Sequence, residues 1–349
     1  MSTEPLVVGV LLGMGFEPEH FATLVADSAR PVEVMDAPYQ EDTEIRRLKR
    51  RGDSVDAVRA LSPPLEPAVV EALGRAEAVL AIDVPLDFLE LAPRLRWLQG
   101  SGAGIGQFDE PALWAQGIQI TNAAGIGAPA IAEFVMGRIL QIWKDFRELD
   151  RLQHEHAWTF HQGKRLVGKT LGVVGLGAIG TAVAQRAKAF DMRVVAVRRS
   201  YEPGMISPVA DVLYPLSGLH RLLAESDVVV ISAPATPETE NLIGAPELAQ
   251  MKPGAILCNV ARGSLLDEDA LAAALGDGRL SAAILDVARN EPLAPDDPLW
   301  EVPNLYLSPH CSTSREGYVD GLIQLFADNV KRYAAGQPMI NLITPDKGY

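Results

Sequence analysis

The chain has 349 residues, of which 48% are hydrophobic and 22% are charged, and its formal net charge at pH 7 is −14. These are ordinary values for a globular protein, and at about 150 residues per domain the length predicts two domains. The negative charge argues against nucleic acid or an anionic membrane as a partner, and no apolar run reaches the roughly 18 residues of a membrane span. With two distant cysteines and no recognisable leader, a cytoplasmic protein is expected.

The first part of the chain alternates short apolar segments with polar ones. Strands are predicted at 6–12, 32–35, 78–82, 95–99 and 118–121. The charged stretch 40–59 predicts a surface helix. Between Ala128 and Gln153, apolar residues recur at helical spacing, which predicts one long amphipathic helix. From the pattern alone, this helix could pack on its own domain or against a second subunit.

A glycine-rich motif, Val-Val-Gly-Leu-Gly-Ala-Ile-Gly, occupies 173–180. It follows a predicted strand and precedes a predicted helix at 181–190, which is the context that a dinucleotide-binding loop requires. Gly175 allows the tight turn, Gly177 lets the backbone approach a pyrophosphate, and Gly180 lets the helix pack closely on the strand. The positive end of the helix dipole would face the phosphates. The motif therefore predicts dinucleotide binding.

After the glycine loop, strands recur with helix-sized segments between them. They are predicted at 193–197, 227–232, 255–260, 282–287 and 305–308. This alternation favours a parallel, doubly wound sheet, which binds ligands at the carboxyl ends of its strands. Polar, glycine and proline residues cluster there, at Ala233-Pro234, Ala261-Arg262-Gly263, Asp286 and Pro309-His310.

The predicted fold class is α/β, with two Rossmann-like or flavodoxin-like domains built on doubly wound parallel sheets. A helix predicted at 319–333 would return to the first domain and make it discontinuous, with the cofactor domain inserted in the substrate domain. The expected substrate domain comprises 1–121 and 315–349. The expected dinucleotide domain comprises 122–314 and is entered by the long helix at about 129–153.

Three residues form a candidate catalytic set. His310 directly follows a predicted strand at the ligand edge, so it is the best acid/base candidate. The guanidinium fork of Arg262 suits a carboxylate, although a surface pair with Asp267 or Glu268 is the alternative. The charge of Glu291 would keep His310 protonated, and the set then fits the reduction of a 2-keto acid by a nicotinamide coenzyme.

The remaining histidines and cysteines are expected to play no part in the chemistry. His154, His156 and His161 lack the cysteine or carboxylate partners of a metal site, so no metal is expected. Cys311, next to His310, is interpreted as a packing residue, and a thiol whose oxidation perturbs the site is the alternative.

Five motifs occur in a fixed order along the chain: 168–180, Thr236-Pro237-Glu238-Thr239, Asn259-Val260-Ala261-Arg262-Gly263, Glu291-Pro292-Leu293 and Ser308-Pro309-His310. In these motifs the chain resembles the D-isomer-specific 2-hydroxyacid dehydrogenase family, most clearly from Leu95 to Ile343. The resemblance implies that Arg262, Glu291 and His310 are the catalytic residues. It also implies that the loop 100–105 grips the substrate carboxylate through the backbone N–H groups of Ala103 and Gly104.

The resemblance further implies a coenzyme site at the glycine loop and the strand ends, with Asp286 holding the nicotinamide amide. The expected coenzyme-binding residues are Gly175, Gly177, Ala178, Ile179, Gly180, Arg198, Arg199, Ser200, Ala233, Pro234, Thr239, Val260, Ala261 and Asp286. NAD-preferring members carry an acidic residue where Arg198 stands. Arg198, Arg199 and Ser200 could clamp a 2′-phosphate, which predicts NADP(H) over NAD(H); the alternative is that Glu202 binds the ribose.

The leading interpretation is an NAD(P)H-dependent reductase of a small 2-keto acid, such as glyoxylate or hydroxypyruvate, that forms the D-2-hydroxy acid. In the family, the helix beginning near Pro129 usually forms the core of a homodimer, so a homodimer is expected. Formate dehydrogenases of the family have Gln at the place of Glu291 and Asn at that of Gly127, so that subclass is not expected.

Two other functions stay open. A phosphoglycerate- or phosphite-type dehydrogenase could use the same fold, but the loop 100–107 offers no basic residue for a phosphorylated substrate. A non-catalytic NAD(P)H-sensing protein, similar to the family's corepressor relatives, is the other. The complete set of Arg262, Glu291 and His310 weighs against it.

Overall fold

The computed structural model describes residues 4–13, 15–51 and 53–344. The chain divides into two compact units, the first formed by 1–126 and 315–349 and the second by 127–314. Residues 1–3, 14, 52 and 345–349, which also belong to the predicted substrate domain, lie outside the described residues. The assignment of substrate to one unit and coenzyme to the other stays a prediction.

The first unit contains a six-stranded sheet in the order β13-β5-β4-β3-β1-β2 among the described residues. Its strands are β1 (Leu6–Leu11), β2 (Val32–Asp36), β3 (Ala78–Ala81), β4 (Trp97–Gly100), β5 (Gln119–Thr121) and β13 (Leu342–Ile343). Its helices are α1 (Pro18–Leu24), α2 (Thr43–Arg51), α3 (Val55–Leu61), α4 (Pro67–Arg75), α5 (Phe88–Leu91), α6 (Glu110–Ala115) and α13 (Tyr318–Ala334). All pairs are parallel except that of the two-residue edge strand β13 with β5.

Alternate residues of these strands face two separate apolar clusters, because successive side chains of a strand point to opposite faces. In one cluster Val79 and Leu98 pack with Leu73 of α4. In the other, Leu80 and Trp97 pack with α13. The sheet is therefore covered on both faces, as a doubly wound sheet requires.

The sequence predicted a boundary between the units after residue 121. In the structure the boundary lies after Ile126. Ala123 is buried in the same cluster as α13, and Ile126 packs against it. The backbone N–H of Asn122 also donates to the carbonyl of Asn341 (3.3 Å). These contacts tie residues 122–126 to the first unit.

The second unit contains a seven-stranded parallel sheet in the order β12-β11-β10-β9-β6-β7-β8. Its strands are β6 (Thr170–Val174), β7 (Arg193–Val197), β8 (Val212–Tyr214), β9 (Val228–Ile231), β10 (Ala255–Asn259), β11 (Leu280–Leu285) and β12 (Leu305–Leu307). Its helices are α7 (Ala128–Trp143), α8 (Phe146–His154), α9 (Ala178–Ala189), α10 (Leu219–Glu225), α11 (Ala245–Gln250) and α12 (Glu268–Gly276). Strand β8 was not predicted, whereas β7 has the predicted ends.

Of the two helix predictions, one long helix at about 129–153 and a surface helix within 40–59, the first is wrong. The first is two helices, α7 and α8, separated at Lys144 and Asp145, and Asp145 has a left-handed backbone (φ 53°) that ends the helical path. The charged stretch contains a helix as predicted, α2, and a second short helix, α3, begins in it at Val55. Apolar residues at helical spacing continue across the break at Lys144 and Asp145, so the sequence pattern did not reveal it.

Within the described part of the chain, no helix combines the length and the apolar character that crossing a membrane would need. The cytoplasmic location stays a prediction.

Candidate active site

The glycine loop follows β6. From β6 the chain order of the strands runs in one direction through β7 and β8, and from β9 it runs in the other direction to β12, so the strand order reverses at β6. This is the position at which doubly wound sheets bind ligands. Gly175 has φ 97°, and a Cβ atom there would lie 2.7 Å from the Cα of Ala233 at the end of β9. Only glycine fits a positive φ with another backbone so close.

The next two glycines differ in what surrounds them. A Cβ on Gly180 would lie 2.2 Å from the carbonyl oxygen of Gly175, so helix α9 packs tightly against the loop. A Cβ on Gly177 would meet no described atom within 4 Å. Gly177 precedes the first residues of α9, Ala178 and Ile179, and no side chain caps this end. Open space beside uncapped helical N–H groups fits a dinucleotide pyrophosphate.

The other predicted coenzyme residues lie at the carboxyl ends of neighbouring strands. Thr239 Oγ1 donates to the carbonyl of Pro234 (2.8 Å) and accepts from the N–H of Thr236 (2.7 Å), which fixes the turn after β9. Val260 and Ala261 follow β10 and are buried.

Arg198, Arg199 and Ser200 follow β7. Arg198 donates from Nε (3.1 Å) and Nη2 (2.7 Å) to Ser200 Oγ, so its guanidinium is held beside the hydroxyl. The hydroxyl of Thr236 and, less strongly, the charge of Arg199 lower the pKa of Glu238. Arg198 and Ser200 are therefore in contact directly after β7, and the coenzyme role of Arg198, Arg199 and Ser200 stays a prediction.

Arg262 lies in a turn that a buried side chain shapes. Asn259 donates from Nδ2 to the carbonyl of Arg262 (2.8 Å) and accepts at Oδ1 from the N–H of Ala261 (3.0 Å). Arg262 is exposed, and its Nη1 donates to the carbonyl of Ala261 (2.7 Å). Asn259 was part of a predicted motif, but its role in shaping the turn was missed.

A continuous series of contacts links this turn to the other two catalytic candidates. A Cβ on Gly263 would lie 2.0 Å from the carbonyl carbon of Ala288, so the two backbones touch. The N–H of Ala288 donates to Glu291 Oε1 (3.0 Å). The second oxygen, Oε2, lies 2.8 Å from His310 Nδ1. The predicted histidine–glutamate pair is thus present, next to the arginine turn.

His310 has a left-handed backbone (φ 52°), which is uncommon for a residue other than glycine and persists where the surroundings enforce it. Asp286, 1% exposed, provides that enforcement. Its backbone carbonyl accepts from the N–H of His310 (2.8 Å). Its carboxylate accepts from Ser308 Oγ (2.7 Å) and from the N–H groups of Cys311 and Ser312 (3.0 Å each).

A carboxylate has about four acceptor positions, and three at Asp286 are taken by the turn that carries His310. The sequence assigned Asp286 only to the nicotinamide amide, by resemblance. That role stays a prediction, and the structure adds a positioning role that sequence reasoning missed.

The predicted substrate loop follows β4 in the first unit. Ile105 is buried and packs with Phe108 in the core, whereas Ala103 is exposed and Gly104 is half-buried. A Cβ on Gly100 would lie 3.1 Å from the Phe108 ring, so the loop leaves the strand through a space that suits glycine.

Cys311 is exposed, so its interpretation as a packing residue is wrong. Its backbone is bound by Asp286, and this leaves the thiol outside the core. Cys258, also in the second unit, is buried. Burial is the main cause that raises the pKa of its thiol, and the charge of Asp286 raises that pKa further. Among the described residues, no three His, Cys, Asp or Glu side chains are grouped as a metal site requires.

Residues 136–312 match the family model described as the NAD binding domain of D-isomer specific 2-hydroxyacid dehydrogenases. The chain is also 31% identical, over 294 residues, to the glyoxylate reductase of Korarchaeum cryptofilum, an alignment that covers 82% of this chain and 88% of the relative. The chain belongs to the D-isomer specific 2-hydroxyacid dehydrogenase family. It is an NAD(P)-dependent oxidoreductase that acts on small 2-hydroxy or 2-keto acids.

A second kind of relative is longer. The D-3-phosphoglycerate dehydrogenase of Mycobacterium tuberculosis is 36% identical over 293 residues, which are 82% of this 2-hydroxyacid dehydrogenase but 54% of that enzyme. The chain therefore spans about half the length of the phosphoglycerate dehydrogenase that it matches.

Two solved structures extend the likeness to almost the whole fold. A D-isomer specific 2-hydroxyacid dehydrogenase family protein from Aeromonas salmonicida has 30% identity and a TM-score of 0.74, covering 98% of this chain and 99% of that chain. The enzyme from Xanthobacter autotrophicus, solved in complex with NADPH and MES, has 25% identity and a TM-score of 0.75, covering 99% and 100%. The predicted family and the predicted two-domain Rossmann-like fold are thus confirmed.

Proposed function

We propose that this 2-hydroxyacid dehydrogenase is an NADPH-dependent reductase that converts glyoxylate, hydroxypyruvate or a similarly small 2-keto acid to the D-2-hydroxy acid. The observation that carries the proposal is the 2.8 Å pair of His310 Nδ1 and Glu291 Oε2, joined through Ala288 to the turn of Arg262. A histidine backed by a carboxylate beside a carboxylate-binding cation is what reduction of a 2-keto acid needs.

The pairing of His310 with Glu291 determines which imidazole nitrogen exchanges a proton with the substrate. Glu291 accepts a hydrogen bond from the N–H of His310 Nδ1. Nε2 is therefore the nitrogen that gives its proton to the developing alkoxide oxygen and takes it back in the reverse direction. The hydrogen bond with Glu291 holds the imidazole ring in one orientation. A bound nicotinamide coenzyme supplies the hydride that reaches C2. Arg262 holds the substrate carboxylate and polarises the carbonyl.

In this proposal, the backbone N–H groups of Ala103 and Gly104 also donate hydrogen bonds to the substrate carboxylate. Backbone N–H groups in a loop of small residues allow an anion to come close. The loop 100–107 contains no lysine or arginine, which favours a carboxylate over a phosphorylated substrate.

The coenzyme preference rests on Arg198 and Arg199. The Arg198 guanidinium bound to Ser200 Oγ places donors where an NAD-preferring member has an acceptor for the ribose hydroxyls. Two cations and a hydroxyl suit a 2′-phosphate. The NADPH complex of the Xanthobacter enzyme is in keeping with this proposal.

A phosphoglycerate-type activity is the second candidate, because the D-3-phosphoglycerate dehydrogenase of Mycobacterium tuberculosis is 36% identical to this chain. The test is absorbance at 340 nm with glyoxylate, hydroxypyruvate, pyruvate and phosphohydroxypyruvate, each with NADPH and with NADH. Turnover of the first two at ordinary enzyme rates, roughly 1 to 10³ s⁻¹, with NADPH preferred, is the expected result. Turnover of phosphohydroxypyruvate alone would replace the proposal by the second candidate.

We also propose that the protein is a homodimer. The segment 155–165 leaves α8 and returns to the break after α7, where the N–H of Lys164 donates to the carbonyl of Trp143. It carries two fully exposed aromatic side chains, Trp158 (104%) and Phe160 (86%). Large exposed aromatic residues on a fixed segment are typical of a protein interface.

The dimer is tested by light scattering on the wild type and on the double variant Trp158→Ser, Phe160→Ser. A dimer that becomes monomeric in the variant is the expected result. The control variant Ile206→Ser removes an equally exposed apolar residue (91%) elsewhere in the second unit and should keep the wild-type mass. A monomeric wild type, or a dimeric double variant, would contradict the proposal.

A further inference from the structure

The substrate loop is held by its carbonyl groups. Tyr318 Oη donates to the carbonyl of Ser101 (2.9 Å). The N–H of Ala123 donates to the carbonyl of Gly102 (2.8 Å). Asn122 Nδ2 donates to the carbonyl of Ala103 (2.7 Å). Three consecutive carbonyl groups are therefore bound from within the first unit.

This arrangement fixes the direction of three N–H groups. In a planar trans peptide, the N–H points opposite to the carbonyl of the preceding residue. Each of the N–H groups of Gly102, Ala103 and Gly104 is thus directed away from the donor that holds the carbonyl of the preceding residue. Among the described residues, no acceptor receives a hydrogen bond from any of them. Successive backbone N–H groups are the donors with which loops of this kind bind an anion.

The two side-chain donors are themselves fixed. Tyr318 is the first residue of α13, and burial raises the pKa of its phenol, which therefore stays a hydrogen-bond donor through the neutral range. Asn122 accepts at Oδ1 from the N–H of Ala124 (3.0 Å). Asn341 Nδ2 then donates to the carbonyls of Asn122 (3.2 Å) and Ala124 (2.8 Å).

We propose that Tyr318 and Asn122 are positioning residues that hold the substrate loop in its carboxylate-binding form, with Gly102 contributing a third N–H beside those of Ala103 and Gly104. The inference rests on the proposed function, since the carboxylate is that of the 2-keto acid. Neither side chain touches the substrate. Each acts through the carbonyl that it holds.

The decisive variant is Tyr318→Phe, which removes one hydroxyl and keeps the ring. Loss of one hydrogen bond to the loop should raise the KM for glyoxylate about 3- to 10-fold, while kcat changes less than about twofold and the KM for NADPH stays the same. The matched control is Tyr333→Phe on the same helix, whose hydroxyl donates to Glu77 Oε1 (2.8 Å), away from the loop. It should leave all three parameters unchanged.

Asn122→Ala gives a second, independent measurement on the third carbonyl. It should raise the same KM by a similar factor, and a thermal melt of each variant shows whether the fold is kept. Calorimetric titration with oxalate, a small dicarboxylate, measures anion binding without turnover. The dissociation constant of oxalate should rise in Tyr318→Phe by the factor seen in KM.

The outcomes separate the inference from the proposed function. If the wild type reduces glyoxylate and Tyr318→Phe matches it in KM and in oxalate binding, the positioning role is wrong and the function stands. If the wild type reduces no keto acid but binds oxalate, the proposed function fails and the oxalate comparison alone decides the inference. If the wild type does neither, both are wrong.

Discussion

The candidate sites of the two units are built from residues at very different separations along the chain. In the second unit, the glycine loop and the first turn of α9 come from residues that are neighbours in the sequence, and His310 lies 19 positions from its partner Glu291. In the first unit, the substrate loop depends on Tyr318, which is 217 positions away from the carbonyl that it binds. The first kind of site can be recognised as a motif, whereas the second depends on the fold of the whole unit.

The two units also differ in whether close backbone packing or side-chain hydrogen bonds shape the candidate site. In the second unit, several positions admit glycine alone because another backbone occupies the space of a Cβ, as at Gly263 against Ala288. In the first unit, side chains orient the backbone of the loop that we propose to bind the substrate. Substitutions in the two units should therefore affect different measured quantities.

The largest effect is expected from the catalytic pair. His310→Asn keeps a residue type that tolerates the left-handed backbone but removes the acid, so kcat should fall about 10²- to 10⁴-fold. The dissociation constant of NADPH, measured by fluorescence, should not change. Glu291→Gln should give a smaller loss of kcat. A His310→Asn enzyme with wild-type kcat would refute the acid role.

The next effect concerns coenzyme choice. Arg198→Ala removes charge-assisted hydrogen bonds to a 2′-phosphate and should raise the KM for NADPH about 10- to 100-fold, with little change for NADH. Arg193→Ala is the matched control, since Arg193 begins the same strand and pairs with Glu225 at its other end (2.9 Å). Equal losses with both coenzymes in Arg198→Ala would argue against the clamp.

A smaller effect separates two glycines of one loop. Gly180→Ala forces a Cβ to within 2.2 Å of the Gly175 carbonyl, so the melting temperature should fall by several degrees, as overpacking by about 1–3 kcal/mol predicts. Gly177→Ala meets no described atom within 4 Å, so the melting temperature should stay the same while NADPH binds more weakly. Wild-type NADPH affinity in Gly177→Ala would mean that the pyrophosphate does not approach this residue.

The smallest effect is that of Tyr318→Phe on the KM for the keto acid. It is the sharpest test of the comparison, because it asks whether one distant hydroxyl matters to a loop whose own sequence stays intact. The glycine-loop variants should leave that KM unchanged, provided that NADPH is saturating.

The sequence determined the α/β class, the family, the glycine loop and the predicted positions of Arg262, Glu291 and His310. These features depend on local patterns: alternation of apolar segments, glycines that permit close backbone approach, and polar residues directly after strands. The break between α7 and α8 escaped prediction because Asp145 adopts a left-handed conformation inside a continuing apolar pattern.

The tertiary structure alone decided how the site residues are held. No local signal in Asp286 predicts that its carboxylate binds the turn of His310, and none in Tyr318 or Asn122 predicts a contact with the substrate loop. Such contacts join residues that only folding brings together, and a hydrogen bond acts over about 3 Å in space whatever the separation along the chain. The sequence thus determined which residues are available for the chemistry, and the fold decided their directions.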